Sequence, residues 1–383
     1  MRTERIKIII ITCFLALLVG VGGKKVWASQ EEEAFLREDL LSELPLSEIE
    51  EVLQSGENTQ GISFSDLLRQ VLDTEQEVDK KELVKKLVGL AFGDLAECKD
   101  IFIQILLMTA AFAFLHNFMN IFEDSQVSKT GFYLYFLVLM VLLMRSYLLI
   151  HNLLDGVLGQ SADFMEALLP AFCMTMVFSS QQVTAAAFYQ LSLMVIYLVE
   201  RILLYLIIPG IHIYVVLQML NYMTDEKLIS RMTTLLRSTI KWGMRVLLAG
   251  VTGMNIVENM IAPSADNLQK MSVTKTIGMI PGLGNTAEAV SNIFLGSAVV
   301  IKNGVGVAAL IGLLCVCIGP FLKMLVYTFL FKAAGAIVQP FADKRICGCI
   351  DSVGEGAALL LRALVTGMLL FMITIAVVVT AVR

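Results

Sequence analysis

From Ile101 onward, apolar residues come in long runs separated by short polar breaks. The runs fall at about 101–122, 131–150, 164–178, 183–200, 202–222, 244–261, 281–301, 304–319, 321–340 and 358–382. An α-helix needs roughly 20 apolar residues to cross a hydrocarbon core about 30 Å thick. The runs that approach this length predict spans, and the shorter ones predict broken or re-entrant helices packed inside protein. The run 281–301 is barely apolar enough to cross, and a re-entrant turn there would flip every later element. No stretch alternates with the period of two that a half-buried strand requires. The pattern therefore predicts an all-α polytopic membrane protein with about 8–10 hydrophobic helices.

Before these runs the pattern is amphipathic. "LSEIEEVLQSG" places Ser47 three residues before Glu50, then Leu53 and Gly56. That order predicts a capping box, an apolar stripe and a glycine stop. "SFSDLLRQVL" repeats the grammar with Ser63 and Asp66, and Val78, Leu83, Leu87, Leu90 and Phe92 form a further stripe. A segment this short and poor in aromatics buries little core, so its helices are expected to seek a partner or a membrane surface. The first residues differ again: Arg2, Arg5 and Lys7 precede the apolar stretch Ile8 to Gly23, and "VWAS" follows. This reads as a secretory signal cleaved between Ala28 and Ser29, with an uncleaved signal anchor as the alternative. The expected organisation is a signal over 1–28, an acidic helical extracytoplasmic segment over 29–98, and a multispan domain over 99–383.

Composition sharpens this division. The chain is 57% hydrophobic and 16% charged, against roughly a quarter charged in soluble domains. Mean hydropathy is +0.76. Residues 29–98 hold 18 acidic and 6 basic side chains, while 99–383 hold 15 acidic and 18 basic. Lys227, Arg231, Arg237 and Lys241 place the 223–243 loop in the cytoplasm by the positive-inside rule. Asp155 and Asp163, with no Lys or Arg nearby, place a 151–163 loop outside. A repeat over 164–261 and 281–382 adds to this. Leu169-Pro170-Ala171 and Ile280-Pro281-Gly282 stand equally far before Pro209 and Pro320, and "VTGM" occurs at Val251 and again at Val365. The repeat puts Lys344 and Arg345 inside and the C-terminus outside.

The chemistry-bearing residues exclude more than they support. Gly282-x-Gly284-x-x-Ala287 has dinucleotide-turn spacing. The polar "NLQKMSVTKT" before it is no buried strand, and position 307, where an acid should stand, is Val. His116, His151 and His212 lie in or beside different runs without metal-ligand spacing. "CVC" and "CGC" are too closely spaced for typical zinc motifs, and one cysteine near the exported segment, Cys98, predicts no disulfide there. No phosphate-binding P-loop, zinc-protease or nucleophile-elbow motif occurs. No catalytic residue, cofactor or metal is expected. Polar groups inside apolar runs carry more information, because charge at depth is costly and faces protein or water. Glu200, Arg201, Lys302 and Lys323 are the candidates, while Arg145 and Arg362 read as snorkelling ends. Gly296 and Gly304 lie among small residues that predict close helix packing.

"IPGLGNTAEAVSNIFLGSAVVIKNGVGVAALIG", following a signal and an acidic helical head, resembles the stage III sporulation protein AE family. The order of parts matches over nearly the whole chain. The resemblance implies a non-enzymatic subunit of a channel-like secretion complex in the mother-cell membrane around the forespore. Implied partners are other stage III membrane and ring-forming proteins, an ATPase and a forespore-membrane protein, within a lipid bilayer and without nucleic acid. A self-contained secondary transporter, with a midplane site between the two repeats, is the alternative reading.

Overall fold

The computed structural model describes residues 40–56, 59, 63–72, 103, 104, 107, 110, 111, 126–179, 182–223, 229–277, 284–340 and 344–380. The chain divides into Met1–Ser42 and Glu43–Arg383. Of the first unit, residues 40–42 are described and helical. The second consists of α1 (Ser47–Ser55), α2 (Phe64–Leu72), α3 (Gln126–Phe178), α4 (Gln182–Ile202), a π turn (Leu203–Ile207), α5 (Ile208–Met223), α6 (Ser230–Ile277), α7 (Gly284–Val338) and α8 (Lys344–Thr380). No strand occurs among the described residues.

Apolar runs expected as separate spans are joined into long helices. The 53 residues of α3 extend for about 80 Å at 1.5 Å per residue, more than twice the hydrocarbon thickness. The 151–163 segment, expected as an external loop, is helical throughout. Its pattern explains why: Leu154, Val157, Leu158, Ser161 and Ala162 are buried, while Asp155 and Asp163 fall on the exposed face. Likewise, 230–243 is the first part of α6 and not a loop. Ile240, Met244, Leu247 and Val251 recur at helical spacing and are buried. Lys302-Asn303 lies inside α7 with no break.

Four stretches are long and apolar enough to cross a membrane: Tyr133–Phe178, Ala185–Met223, Gly296–Val338 and Lys344–Val377. The third is the central one, with 61% of its most apolar window buried against 28% in the first. Contacts at glycines give the helix directions. Gly356 meets Tyr147 and Val215, and Gly367 meets Leu158 and Leu203, so α8 runs parallel to α3 and antiparallel to α4–α5. Gly312 meets Phe164 and Gly306 meets Phe172 and Val379, so α7 is antiparallel to α3 and α8. At each glycine the missing Cβ lets a neighbour approach a backbone that lipid offers no hydrophobic drive to bring together. Phe164 and Phe172 are fully buried, and truncating either to Ala would cost about 3–5 kcal/mol.

Three prolines behave in two ways. Pro320 sits inside α7 and Pro170 inside α3, both in continuous helix. Pro209 is preceded by the π turn, where the Ile208 N–H donates to the Leu203 carbonyl. The wider turn opens the helix beside a residue that has no N–H and whose ring crowds the preceding turn.

The α1–α2 hairpin packs on α3 and α7. Phe64 meets Phe164 edge-on with centroids 6.4 Å apart, and Gln160 Nε2 donates to Thr59 Oγ1 at 3.4 Å. The expected capping box does not form: Ser47 makes no cap bond, and Leu46 is the N-cap residue. Glu50 instead accepts the Phe64 N–H at 2.9 Å, tying the two helices together. Ser63 does cap α2, accepting the Asp66 N–H at 3.3 Å. Gly56 has extended backbone, and its small size admits the Gln160 and Thr59 side chains.

Candidate functional site

At one level of the bundle, four helices bring polar side chains together. From α3 come Tyr147 and His151, from α5 His212 and Tyr214, from α6 Arg237 and from α8 Glu355. Gly354 and Gly356 flank Glu355, so Phe331 and Lys332 approach on one side and Tyr147 and Val215 on the other. An acid with such neighbours can sit between tightly packed helices.

Glu355 is fully engaged. Tyr214 Oη donates to its Oε2 at 2.6 Å, and Arg237 Nη2 lies 2.9 Å from its Oε1. Arg237 and Glu355 side chains are 38% and 36% exposed, so the pair lies towards the edge of the bundle, while Tyr214 is buried. The second group is internal. His151 and His212 meet edge-to-face with centroids 4.5 Å apart, and the Tyr147 ring lies 5.4 Å from His212, also edge-to-face. Tyr147 Oη, His151 Nδ1 and His212 Nε2 are buried and make no hydrogen bond to protein. Such atoms are costly when left dry and are the ordinary seat of an internal water. Two imidazoles and a phenol can bind that water or pass a proton. Further along, Asn255 Nδ2 donates to Thr374 Oγ1 at 3.3 Å, joining α6 to α8.

The residues singled out from sequence are dispersed. Ala28 and Ser29 lie outside the described residues. Glu200 and Arg201 are both exposed at the end of α4, with the Arg201 guanidinium 4.6 Å from the centre of the Tyr205 ring. Lys302 is completely buried in α7, whereas Lys323 on the same helix is half-buried. The two glycines also part company. A Cβ at Gly304 would stand 2.6 Å from Leu72 Cδ2, while one at Gly296 would meet nothing within 4 Å.

The polar layer escaped sequence reading because its members are far apart in the chain. His151 and His212 belong to different helices, and only their packing makes them neighbours. Glu355 carried a usable signal: an acid between two glycines in an apolar run must find a partner. Among the described residues, no group of three or more His, Cys, Asp or Glu side chains is placed to hold a metal ion. Cys173, Cys315, Cys317, Cys347 and Cys349 are free thiols, and Cys317 Sγ lies 3.4 Å from Ser161 Oγ as a packing contact between α7 and α3.

With this geometry, known proteins supply a context. The family described as "Stage III sporulation protein AE (spore_III_AE)" matches residues 62–382. The stage III sporulation protein AE of Bacillus subtilis (strain 168) is 23% identical over 315 residues, covering 82% of this chain and 79% of that relative. No solved structure matches. The family match takes in α2 through α8 and every residue of the polar layer, and the chain belongs to the stage III sporulation protein AE family.

Proposed function

We propose that this sporulation-family membrane protein is a non-enzymatic subunit of a channel or secretion complex that links mother cell and forespore and is needed for forespore development. In this reading it resides in the mother-cell membrane around the forespore. The α1–α2 hairpin faces the intermembrane space, and the 224–228 and 341–343 connections face the mother-cell cytoplasm. Ring-forming and other stage III membrane proteins, an ATPase and a forespore-membrane protein are its partners.

The observation that carries this reading is the α1–α2 hairpin, docked on the long apolar helices through Phe64–Phe164 and Thr59–Gln160. It is a folded polar attachment on a membrane bundle, of the kind an assembly subunit needs. The basic ends of α6 and α8, with Arg231, Arg237, Lys241, Lys344 and Arg345, support the orientation. Deleting the gene in its host should block forespore development, and affinity purification of tagged protein from sporulating cells should recover ring-forming and ATPase partners. Normal spores without the gene, or purification free of partners, would overturn the proposal.

The polar layer favours a second reading, a self-contained secondary transporter. His151, His212 and Tyr147 lie between apolar helices near the π turn and Pro209, and interrupted helices beside polar groups are a transporter feature. Solute uptake by the purified protein alone in liposomes would support this reading against the first.

A further inference from the structure

We propose that the surface between α6 and α8 at Arg237, Lys241, Arg245 and Arg362 binds the phosphate of an anionic phospholipid headgroup. Arg237, Lys241 and Arg245 stand at i, i+4 and i+8, on one side of α6. Lys241 interacts electrostatically with Arg237, Arg362, Arg245 and Glu355. Arg237, Lys241 and Arg362 thus gather around one carboxylate, with Arg245 beside Lys241, and Tyr214 and Arg237 already occupy both oxygens of that carboxylate. The next acid along α8, Asp351, interacts with Lys332 as well as Glu355, so cations outnumber carboxylates among the described residues of this surface.

Donors remain available there. Arg237 gives Nη2 to Glu355, and Lys241 is half-buried. Arg245 and Arg362 are exposed. A phosphate offers several acceptor oxygens to such a set, and guanidinium groups match it in a fork. Neighbouring residues select a lipid over a free ion. Leu235, Trp242 and Val246 on α6 are 68%, 62% and 47% exposed, giving an apolar surface for acyl chains beside the cations. Tryptophan is enriched at the level of the headgroups, and basic pockets between membrane helices hold anionic lipids.

Burial, with Arg237 and Arg362 nearby, lowers the Lys241 pKa from its ordinary value. Lys241→Gln therefore relieves a crowded cation and does not lower the melting temperature of lipid-free protein, so a weaker response to lipid, measured as the shift from each protein's own lipid-free value, reports binding. The test titrates the full chain, purified in zwitterionic micelles, with dioctanoyl phosphatidylglycerol, dioctanoyl phosphatidylcholine or inorganic phosphate. Melting temperature and retained lipid by native mass spectrometry are the readouts. Phosphatidylglycerol should stabilise saturably, and the other two should not. Lys241→Gln and Arg362→Gln should each weaken that response by about fivefold, and Arg231→Gln, also exposed on α6, should leave it intact. No saturable response would overturn the site. An equal response to inorganic phosphate would overturn the lipid assignment, and an equal loss in Arg231→Gln would reduce the effect to diffuse charge.

Discussion

Glu355 shows how a single acid can be accommodated in an apolar helix. Its two oxygens are taken by Tyr214 and Arg237, so losing one partner changes the other. A double-mutant cycle of Arg237→Met and Glu355→Gln should give a coupling of about 0.5–1 kcal/mol, discounted for the partial exposure of both side chains. A coupling indistinguishable from zero would make the pair incidental. Tyr214→Phe should lower the melting temperature less than Glu355→Gln, because it removes one donor and leaves the ion pair. Lys241, beside this pair, provides a pH-dependent test. Its pKa is lowered in the folded chain by burial and neighbouring cations, so over the interval between that pKa and the unfolded value the unfolded chain holds more protons. Stability should therefore rise with pH across that interval. The rise should be smaller in Lys241→Gln, and melting curves with the same slope in both proteins would rule the effect out. None of these partnerships was legible in the sequence. Arg237 was read there as part of a basic loop, and the setting of Glu355 between two glycines signals that it needs a partner without saying which. Their pairing depends on α6 and α8 running side by side, which no local spacing encodes.

Between elements, glycine decides which helices touch, and it does so unevenly. Small residues around Gly296 and Gly304 were read as a packing face, but only the fold shows what each one meets. Gly304 faces Leu68 and Leu72 of α2, whereas Gly296 faces open space. Gly304→Leu should therefore displace the α1–α2 hairpin, detected as faster proteolysis within residues 43–72 of the membrane-inserted protein. Gly304→Ala should be milder, because the tip of Leu72 can turn aside. Gly296→Leu should leave that proteolysis unchanged, and a similar acceleration in both leucine variants would contradict the assignment of Gly304 to hairpin docking. Helix type was legible for a plain reason: long apolar runs with no alternation leave little but helix in a membrane. Helix boundaries were not. By charge and polarity the break at 151–163 read as a loop and the one at Lys302-Asn303 as a loop or a polar kink. Within them the buried positions still recur at helical spacing, so continuing the helix costs nothing and satisfies the backbone.

The Glu43–Arg383 unit has two chemically different ends. The 224–228 and 341–343 connections join α5 to α6 and α7 to α8 at one end, and the glycine contacts bring that end together at Tyr222 and Gly348. Basic residues crowd the same region: Arg231, Arg237 and Lys241 on α6, Lys344 and Arg345 on α8. At the other end α8 finishes near Val379, which meets Gly306, and α2 covers Gly304 close by. The charge asymmetry visible in the sequence thus becomes a polarity along the bundle. Helix joining did not erase it, because two mergers precede the 224–228 connection, one giving Tyr133–Phe178 and one giving Ala185–Met223; each removes one crossing, and together they leave that connection on the same side. If the basic end is cytoplasmic, Ser47 and Lys344 must lie on opposite sides of the membrane, and both are exposed. Single cysteines at these positions, in a background with all seven native cysteines replaced, can be labelled in intact cells with an impermeant maleimide. Ser47→Cys should label directly, and Lys344→Cys only after permeabilisation. Labelling of both in intact cells, or of Lys344→Cys alone, would reverse the orientation and move the basic surface of α6 and α8 to the other leaflet. Protection of both would instead bring the α1–α2 hairpin inside with the basic end, removing it as the attachment point proposed above.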